Sequence, residues 1–177
     1  LVAASNKNTF RSSQTSIAYD VNGDTLSVLK GEKDVYYVES DEIPNYAKQA
    51  IISIEDKNFY THHGVDYKAI ARAAWAYVRN QRITQGGSTI TQQLAKNLFR
   101  VRTKEEYSTG LLGKWGPTRL LTIKAKEWIV ATKLEMVFSK EDILTMYFNT
   151  VDFGNNAYGI KTACETSFAT TPDNLTY

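Results

Sequence analysis

Apolar residues recur at helical spacing from Ile43 almost to the C-terminus, and this repeat constrains the fold more than any other feature of the sequence. It runs through five segments, 43–56, 66–80, 86–97, 119–138 and 139–149. An amphipathic helix buries one such face, whereas a half-buried strand would need strict alternation. A sixth helix is predicted to begin near Ala157. The chain is therefore predicted to be mainly α.

Several of these segments begin with residues that favour a helix N-terminus. Pro44 suits a first turn, and Asp66 and Ser139 supply side-chain oxygens for N-caps. Thr89 and Gln92 fit the Ser/Thr-x-x-Glu/Gln capping box. The faces expected to be buried are Ile43, Ala47, Ala50, Ile51 and Ile54 in the first helix, and Ile70, Ala73, Ala74, Tyr77 and Val78 in the second.

The N-terminal part follows a different pattern. Residues 1–15 are polar, lack periodicity and are predicted to be a flexible tether. The stretch that follows alternates apolar and polar side chains about Asn22-Gly23, which predicts a β-hairpin. We therefore divide the chain into the tether, a small β element over residues 16–40 and a helical domain over residues 41–177.

The connection between the third and fourth helices is long. Residues 100–119 contain three glycines and a proline and show no period, so this segment is either functional or mobile. Leu111, Leu112 and Trp115 stand among basic residues. They are placed either to enter a lipid headgroup layer or to fold back onto the domain.

The composition is that of a globular protein with an uneven charge distribution. Apolar residues make up 42% of the chain and charged residues 23%, which argues against disorder. Fourteen basic and four acidic residues lie between Lys68 and Lys140, although the net charge of the chain is only +2. This segment indicates an anionic partner (phosphate, nucleic acid or an acidic membrane surface) or a solvated helix face. The single cysteine, Cys164, excludes an intramolecular disulfide.

The first candidate site is the stretch SIEDKNFYTHHG. Glu55 and Asp56 stand where a helix gives way to a loop, a position suited either to proton transfer or to a solvated acidic turn. His62 and His63 are the chain's two histidines, and they lack the further ligands that a structural zinc site requires. We therefore favour a structural role for these histidines over metal binding.

The second candidate is GGSTITQQLAKN, residues 86–97. Its glycines permit close backbone approach, and its hydroxyls, amides and lysine surround a predicted helix N-terminus. That combination indicates a cradle for phosphate or sugar, although a well-capped helix would also account for it. In a third stretch, KAKE, Lys124 and Glu127 share a helix face, which by itself indicates an ordinary surface ion pair.

Taken in order, these stretches resemble a known family. EDKNFYTHHG fits E-D-x-x-F-x-x-H-x-G, and GGSTITQQ fits G-x-S-T-I-T-Q-Q. KAKE supplies K-x-x-E, and ILTMYFNTVDFGNNAYGI supplies Tyr-x-Asn with spaced glycines. From about residue 20 to 177 the chain resembles the family 51 peptidoglycan glycosyltransferases, the polymerising domain of class A penicillin-binding proteins.

The resemblance implies a lysozyme-like, mainly α fold with a head lobe and a membrane-contacting jaw lobe, preceded by the small β-hairpin. It implies polymerisation of lipid II into β-1,4-linked glycan, with inversion and release of polyprenyl pyrophosphate. Glu55 matches the general base, and Glu127 matches the second essential glutamate. The other positions that match substrate-binding residues are Asp56, Phe59, His62, Gly64, Gly86, Ser88, Thr89, Gln92, Gln93, Lys96, Asn97, Arg119 and Lys124. No protein-bound metal is implied with certainty, but Mg²⁺ or Mn²⁺ at the pyrophosphate is compatible with the family.

The resemblance also implies a setting. The expected partners are lipid II, the growing lipid-linked strand, the membrane surface and the inhibitor moenomycin, with no nucleic acid. The chain starts at Leu1 and stops at Tyr177, and we expect it to be part of a longer protein with a C-terminal transpeptidase domain. That protein would lie on the outer face of the bacterial cytoplasmic membrane, anchored by an N-terminal transmembrane helix upstream of this chain.

Some positions depart from the family's pattern. Ile123 stands where the third motif usually has arginine, and Ser167 where an aromatic residue is common. The connection over residues 100–119 is longer than usual, and the chain stops before the domain's usual end, so the domain is expected to be C-terminally incomplete. Two alternatives to the polymerase remain open at this point. One is a glycan-cleaving enzyme on the same lysozyme-like scaffold, and the other is a non-catalytic lipid- or glycan-binding module.

Overall fold

The computed structural model describes residues 16–19, 25–29, 37–80, 86–99, 116–155 and 157–175. For the first two ranges, for Phe99 and for residues 116–122, the description extends to the backbone only. The predicted tether, the Asn22-Gly23 turn and the stretch with Leu111, Leu112 and Trp115 lie outside the described residues.

Two short strands precede a series of helices. Strand β1 (Ser16–Tyr19) pairs antiparallel with β2 (Thr25–Leu29), with an irregularity between Ala18 and Tyr19. The helices are α1 (Asn45–Glu55), α2 (Tyr67–Asn80), α3 (Ile90–Phe99), α4 (Gly116–Val137), α5 (Lys140–Thr150) and α6 (Ile160–Phe168). Single 3₁₀ turns occur at Ser40–Glu42 and Pro172–Asn174. The prediction of a mainly α fold is confirmed.

The core lies where α3, α4 and α5 meet. Helix α5 is buried on every side, since all seven consecutive residues from 143 to 149 are buried. Ile90 and Leu94 of α3 and Leu134 of α4 pack in the same apolar cluster. A helix buried all round belongs to the centre of a domain. Helix α5 is therefore the support against which the helices of the site are placed.

The predicted caps agree with the structure at α2 and α5, whereas Pro44 is the N-cap of α1 and not part of its first turn. Ser139 and Asp142 form a reciprocal capping box at α5, and Asp66 Oδ1 accepts a hydrogen bond from the Ala69 amide at α2. At α3 the Thr89 hydroxyl accepts from the Gln92 amide, as expected. The Nε2 atom of Gln92 lies 3.5 Å from the carbonyl oxygen of Gly64. The return bond from the Gln92 side chain to the cap stays a prediction.

The predicted apolar faces are correct only in part. In α1, Ala47 and Ile51 pack on the core together with Ile52, but Ile54 is 78% exposed. In α2 no residue is buried, and Trp75 and Val78 are 70% and 71% exposed. Helical spacing identifies which residues share a face, but it does not tell whether another element covers that face. None of the described helices combines the length and hydropathy of a bilayer-spanning segment.

The turn before α6 explains why this helix starts later than predicted. Asp152 and Tyr158 form an isolated antiparallel bridge, which takes the chain out of helical geometry. Gly159 follows with a φ of +80°, and a Cβ atom there would lie 3.0 Å from the Asn149 carbonyl oxygen. The helix therefore begins at Ile160 rather than near Ala157.

Asn149 joins the segment that leads into the domain to the core. Its Oδ1 accepts from the Val38 amide at 2.7 Å, and its Nδ2 donates to the carbonyls of Val38 and Thr145 at 2.8 Å each. We expect Asn149→Ala to lower the free energy of unfolding by about 2–4 kcal/mol, because buried backbone groups lose their partners. Urea denaturation measures this, with Asn174→Ala at an exposed turn as the control. Equal losses in the two variants would contradict this role.

Candidate active site

The end of α1 sets the position of the first acidic pair. The helix stops at Glu55, and Asp56 leaves helical geometry with a φ of −157°. The Asp56 carboxylate turns inward, where its Oδ2 accepts a hydrogen bond from the Ile90 amide at 3.0 Å. This bond fixes the end of α1 to the first residue of α3. Glu55 remains exposed beside that junction.

His62 completes the junction from the turn between α1 and α2. Its Nδ1 accepts from the Gly64 amide at 3.2 Å, so Nε2 carries the hydrogen and donates to Asp56 Oδ2 at 2.8 Å. The ring is buried and in edge contact with Phe59. The structure therefore agrees with the structural role favoured from the sequence. Among the described residues, no three or more His, Cys, Asp or Glu side chains are grouped so that they could hold a metal ion.

Further polar contacts, made by Glu135 and Lys140, stabilise the same junction. Glu135 Oε1 accepts from the Thr91 hydroxyl at 2.6 Å and from Lys140 Nζ at 2.8 Å. Lys140 also donates to the carbonyl of His62 at 2.7 Å and lies over the Phe59 ring. These partly buried contacts connect α3, α4 and α5 to the turn that follows Glu55.

The first turn of α3 places the side-chain amide of Gln93 against the carboxylate of Glu55. Gln93 Nε2 donates to Glu55 Oε2 at 2.7 Å. Thr89 donates its hydroxyl to the Gly64 carbonyl at 2.7 Å, which holds the start of α3 against the turn. The exposed carboxylate of Glu55 is therefore hydrogen-bonded to the GGSTITQQ stretch.

Two adjoining cavities open at this junction. The carboxylate cavity, of about 500 Å³, is lined by Glu55, Asp56, Arg72, Gly86, Ser88 and Thr89 among others. The lysine cavity, of about 170 Å³, is lined by Ser88, Gln92, Gln93, Lys96, Lys124 and Glu127. Ser88 lines both cavities. A ligand that passes over Ser88 can therefore meet the acid on one side and the lysines on the other.

Glu127 is not part of an ordinary surface ion pair. It is 1% exposed, and its Oε2 lies 2.7 Å from Lys124 Nζ. Lys124 also donates to the Ser88 hydroxyl at 3.0 Å. A buried carboxylate requires a charged or hydrogen-bonded partner, so Glu127 holds the ammonium group of Lys124 at the mouth of the lysine cavity. The interpretation as a solvated pair is wrong.

Comparison with known proteins agrees with this geometry. The family profile described as Transglycosylase matches residues 22–177. The chain belongs to the transglycosylase family. The resemblance found in the four motifs is thereby confirmed, and the chain carries a transglycosylase domain.

The transglycosylase domain has relatives of two kinds. It is 40% identical over 155 residues to penicillin-binding protein 1A of Aquifex aeolicus, which covers 88% of this chain and 19% of that protein. It is 38% identical over 157 residues to penicillin-binding protein 1F of Bacillus subtilis, covering 89% of this chain and 20% of the relative. A monofunctional glycosyltransferase of Staphylococcus epidermidis is 37% identical over 157 residues, which cover 89% of this chain and 52% of that relative. The chain thus spans about a fifth to about half of these relatives.

Most of the transglycosylase residues predicted from sequence lie together. Those that line the two cavities are Glu55, Asp56, Gly86, Ser88, Thr89, Gln92, Gln93, Lys96, Lys124 and Glu127. Phe59, His62 and Gly64 are buried and line neither cavity. Asn97 is exposed and lines neither of them, and Arg119 lies in α4 where only the backbone is described. Ile123, at the usual arginine position, is buried and also lines neither cavity.

Sequence reasoning missed other residues that lie at or next to the two cavities. Asn58 donates to Asp66 Oδ2 at 2.7 Å at the edge of the carboxylate cavity, and this hydrogen bond lowers the pKa of Asp66. Arg72 lines the same cavity from α2. Tyr147 of α5 lies 3.3 Å from Gln93 Oε1. Its only signal in the sequence was the Tyr-x-Asn pattern, which by itself indicates no contact with the site.

Proposed function

We propose that this domain polymerises lipid II into β-1,4-linked glycan strands, with inversion at the reacting carbon and release of polyprenyl pyrophosphate. The observation that supports this most directly is the division of the site. An exposed carboxylate, Glu55, lines one cavity, two lysines line the other, and Ser88 lies between them. Inversion requires attack from the face opposite the leaving group, which separates the base from the groups that bind the leaving group.

Glu55 acts as the general base in this proposal. The 4-hydroxyl oxygen of the acceptor lipid II attacks C1 of the terminal sugar on the growing strand, and Glu55 takes the hydroxyl proton. The new C1–O bond forms as the bond from C1 to the pyrophosphate oxygen breaks, and the pyrophosphate leaves with the bonding electrons. A sugar hydroxyl is a poor nucleophile, so a positioned carboxylate contributes most at this step.

The lysine cavity receives the leaving group. Pyrophosphate needs its charge neutralised rather than an added proton, and Lys96 and Lys124 supply positive charge. Glu127 acts as the residue that aims Lys124, through the 2.7 Å contact. Among the described residues, no three or more His, Cys, Asp or Glu side chains are grouped so that they alone could hold Mg²⁺ or Mn²⁺. We therefore derive no step through a metal ion.

Product analysis distinguishes the proposed function from its alternatives. The protein is incubated in detergent with lipid II and, in a second reaction, with preformed uncrosslinked glycan. A polymerase yields strands longer than a dimer from the first and leaves the second unchanged. Shortening of the preformed glycan would favour the glycan-cleaving enzyme. Binding of lipid II without any product would favour the binding module.

The domain works at a membrane surface in this proposal. Lipid II and the growing strand are both lipid-linked, and α2 presents Trp75 and Val78 to solvent beside Arg72 and Arg79. Exposed aromatic and aliphatic residues among basic ones suit a lipid headgroup layer. We assign α2 to the jaw lobe on this basis, and the helices around α5 to the head lobe.

The wider setting is also a proposal. The relatives named penicillin-binding proteins support a longer protein with a transpeptidase domain, on the outer face of the cytoplasmic membrane and with an N-terminal anchor. The paired strands β1 and β2 then form the small element over residues 16–40 that leads into the glycosyltransferase domain over residues 41–177.

Moenomycin is expected to compete at Lys96, Arg119 and Glu127, and Lys96 and Glu127 line the lysine cavity. Glu127→Ala should weaken its binding by about tenfold or more, because Lys124 loses the carboxylate that aims it. Titration of a fluorescent moenomycin derivative measures this. Glu165→Ala on the exposed part of α6 is the control. Unchanged affinity in a folded Glu127→Ala variant would contradict this map of the donor side.

A further inference from the structure

Tyr147 places a hydroxyl group against Gln93, the residue that is hydrogen-bonded to the candidate base. It belongs to α5, is 2% exposed and packs edge-on against Phe148. Its hydroxyl oxygen lies 3.3 Å from Oε1 of Gln93. A buried tyrosine needs a partner for its O–H, and here that partner is an amide of the site.

The side-chain amide of Gln93 contacts Tyr147 at one end and Glu55 at the other. Its Nε2 donates to Glu55 Oε2 at 2.7 Å, while its Oε1 points back to the tyrosine. A carboxylate accepts hydrogen bonds and donates none, so the reversed amide would set two acceptor oxygens against each other. Tyr147, Gln93 and Glu55 therefore form a chain in which each hydrogen bond points toward the carboxylate.

The tyrosine is held in the donor state. Burial, which has the larger effect, and the nearby charge of Glu55 together raise the pKa of Tyr147 to about 12. The hydroxyl thus keeps its hydrogen at any pH at which such a protein works. The separation of 3.3 Å exceeds the roughly 2.5–3.0 Å of strong O–H···O bonds, so this contact selects the orientation of the amide rather than adding much stability.

We propose that Tyr147 is a positioning residue for the transfer reaction. Its hydroxyl holds the carbonyl end of Gln93, so that the amide presents its N–H to Glu55 and keeps the carboxylate aimed into the carboxylate cavity. Tyr147 lies behind Gln93 and acts through it, not on the substrate. The consequence for catalysis rests on the proposed function, in which Glu55 is the base.

The kinetic test uses Tyr147→Phe, which keeps the ring and removes only the hydroxyl. We expect kcat for lipid II polymerisation to fall about threefold to tenfold, because a misaligned base slows the reaction, with KM changed less than about twofold. Tyr46→Phe is the matched control, because it removes a tyrosine hydroxyl that donates to the Leu175 carbonyl away from both cavities. Equal kcat values for the two tyrosine variants would overturn the proposal.

A double-mutant cycle separates positioning from general damage. If Tyr147 acts through Gln93, Tyr147→Phe has no further effect on kcat in a Gln93→Ala background. Multiplicative losses in the double variant would mean that the hydroxyl acts by another route and would overturn the proposal. Thermal unfolding of each variant shows whether the fold is retained.

An NMR experiment tests the contact between Tyr147 and Gln93 independently of the proposed function. The side-chain amide signals of Gln93, identified by their loss in Gln93→Ala, are followed by ¹H–¹⁵N NMR. They are expected to shift in Tyr147→Phe and not in Tyr46→Phe, and unshifted signals would overturn the contact. A shift in a protein that makes no glycan would refute the proposed function and the catalytic role, but not the positioning of the amide.

Discussion

Glu55→Gln is expected to lower kcat for polymerisation by about 10²- to 10⁴-fold, which is the usual contribution of a general base. The amide has the size of the carboxylate but cannot accept the proton of the acceptor hydroxyl. Glu55 is exposed and lines the cavity, so its replacement leaves no buried group without a partner. Turnover of fluorescent lipid II in detergent, with a thermal melt of each protein, measures the effect.

The matched control for this variant is Glu165→Gln, which makes the same chemical change on the exposed part of α6. It is expected to keep wild-type kcat. Glu55→Gln should also keep its affinity for moenomycin, because the lysine cavity is unchanged. A kcat within about threefold of wild type would show that Glu55 is not the base, given the contribution expected of one.

Gly64→Ala is expected to lower the free energy of unfolding by about 3 kcal/mol or more, through backbone strain and a steric clash together. Gly64 has a φ of +87°, and a Cβ there would lie 2.7 Å from the backbone carbon of Ala131 and 2.8 Å from the Thr132 nitrogen. Those atoms belong to α4, which cannot move aside without disturbing the core. Chemical denaturation and the yield of folded protein measure the loss.

Gly154 separates the two causes of this loss. Its φ is +96°, but a Cβ there would meet nothing within 4 Å. Gly154→Ala therefore reports the cost of the backbone conformation alone, about 1 kcal/mol. A loss for Gly64→Ala no larger than that for Gly154→Ala would contradict the close approach of the turn to α4.

The helices of this domain could be predicted from its sequence because their signals are local. Apolar spacing and the caps at Asp66 and Ser139 located α2 and α5 within a few residues. Burial was harder to predict, because it depends on which element lies opposite. Ile54 shares the apolar spacing of α1, yet it lines the carboxylate cavity instead of the core.

The site was predicted from the motifs and their order, not from local physics. Considered alone, Glu127 resembled a surface residue, because its burial comes from the packing of α4 against α3. The contact between Tyr147 and Gln93 joins residues 54 positions apart, and no spacing rule predicts it. Sequence motifs therefore supplied the candidate residues, while the structure was needed to show which of them line the two cavities.

The anomeric configuration of the product tests the division of the site most directly. Lipid II carrying ¹³C at the reacting C1 is polymerised by the wild-type protein, and the new linkage is examined by NMR. With the base in one cavity and the leaving group in the other, we predict one inversion for each bond, from an α-linked pyrophosphate to a β-linked strand. An α linkage, or a free reducing sugar in place of a new linkage, would contradict it.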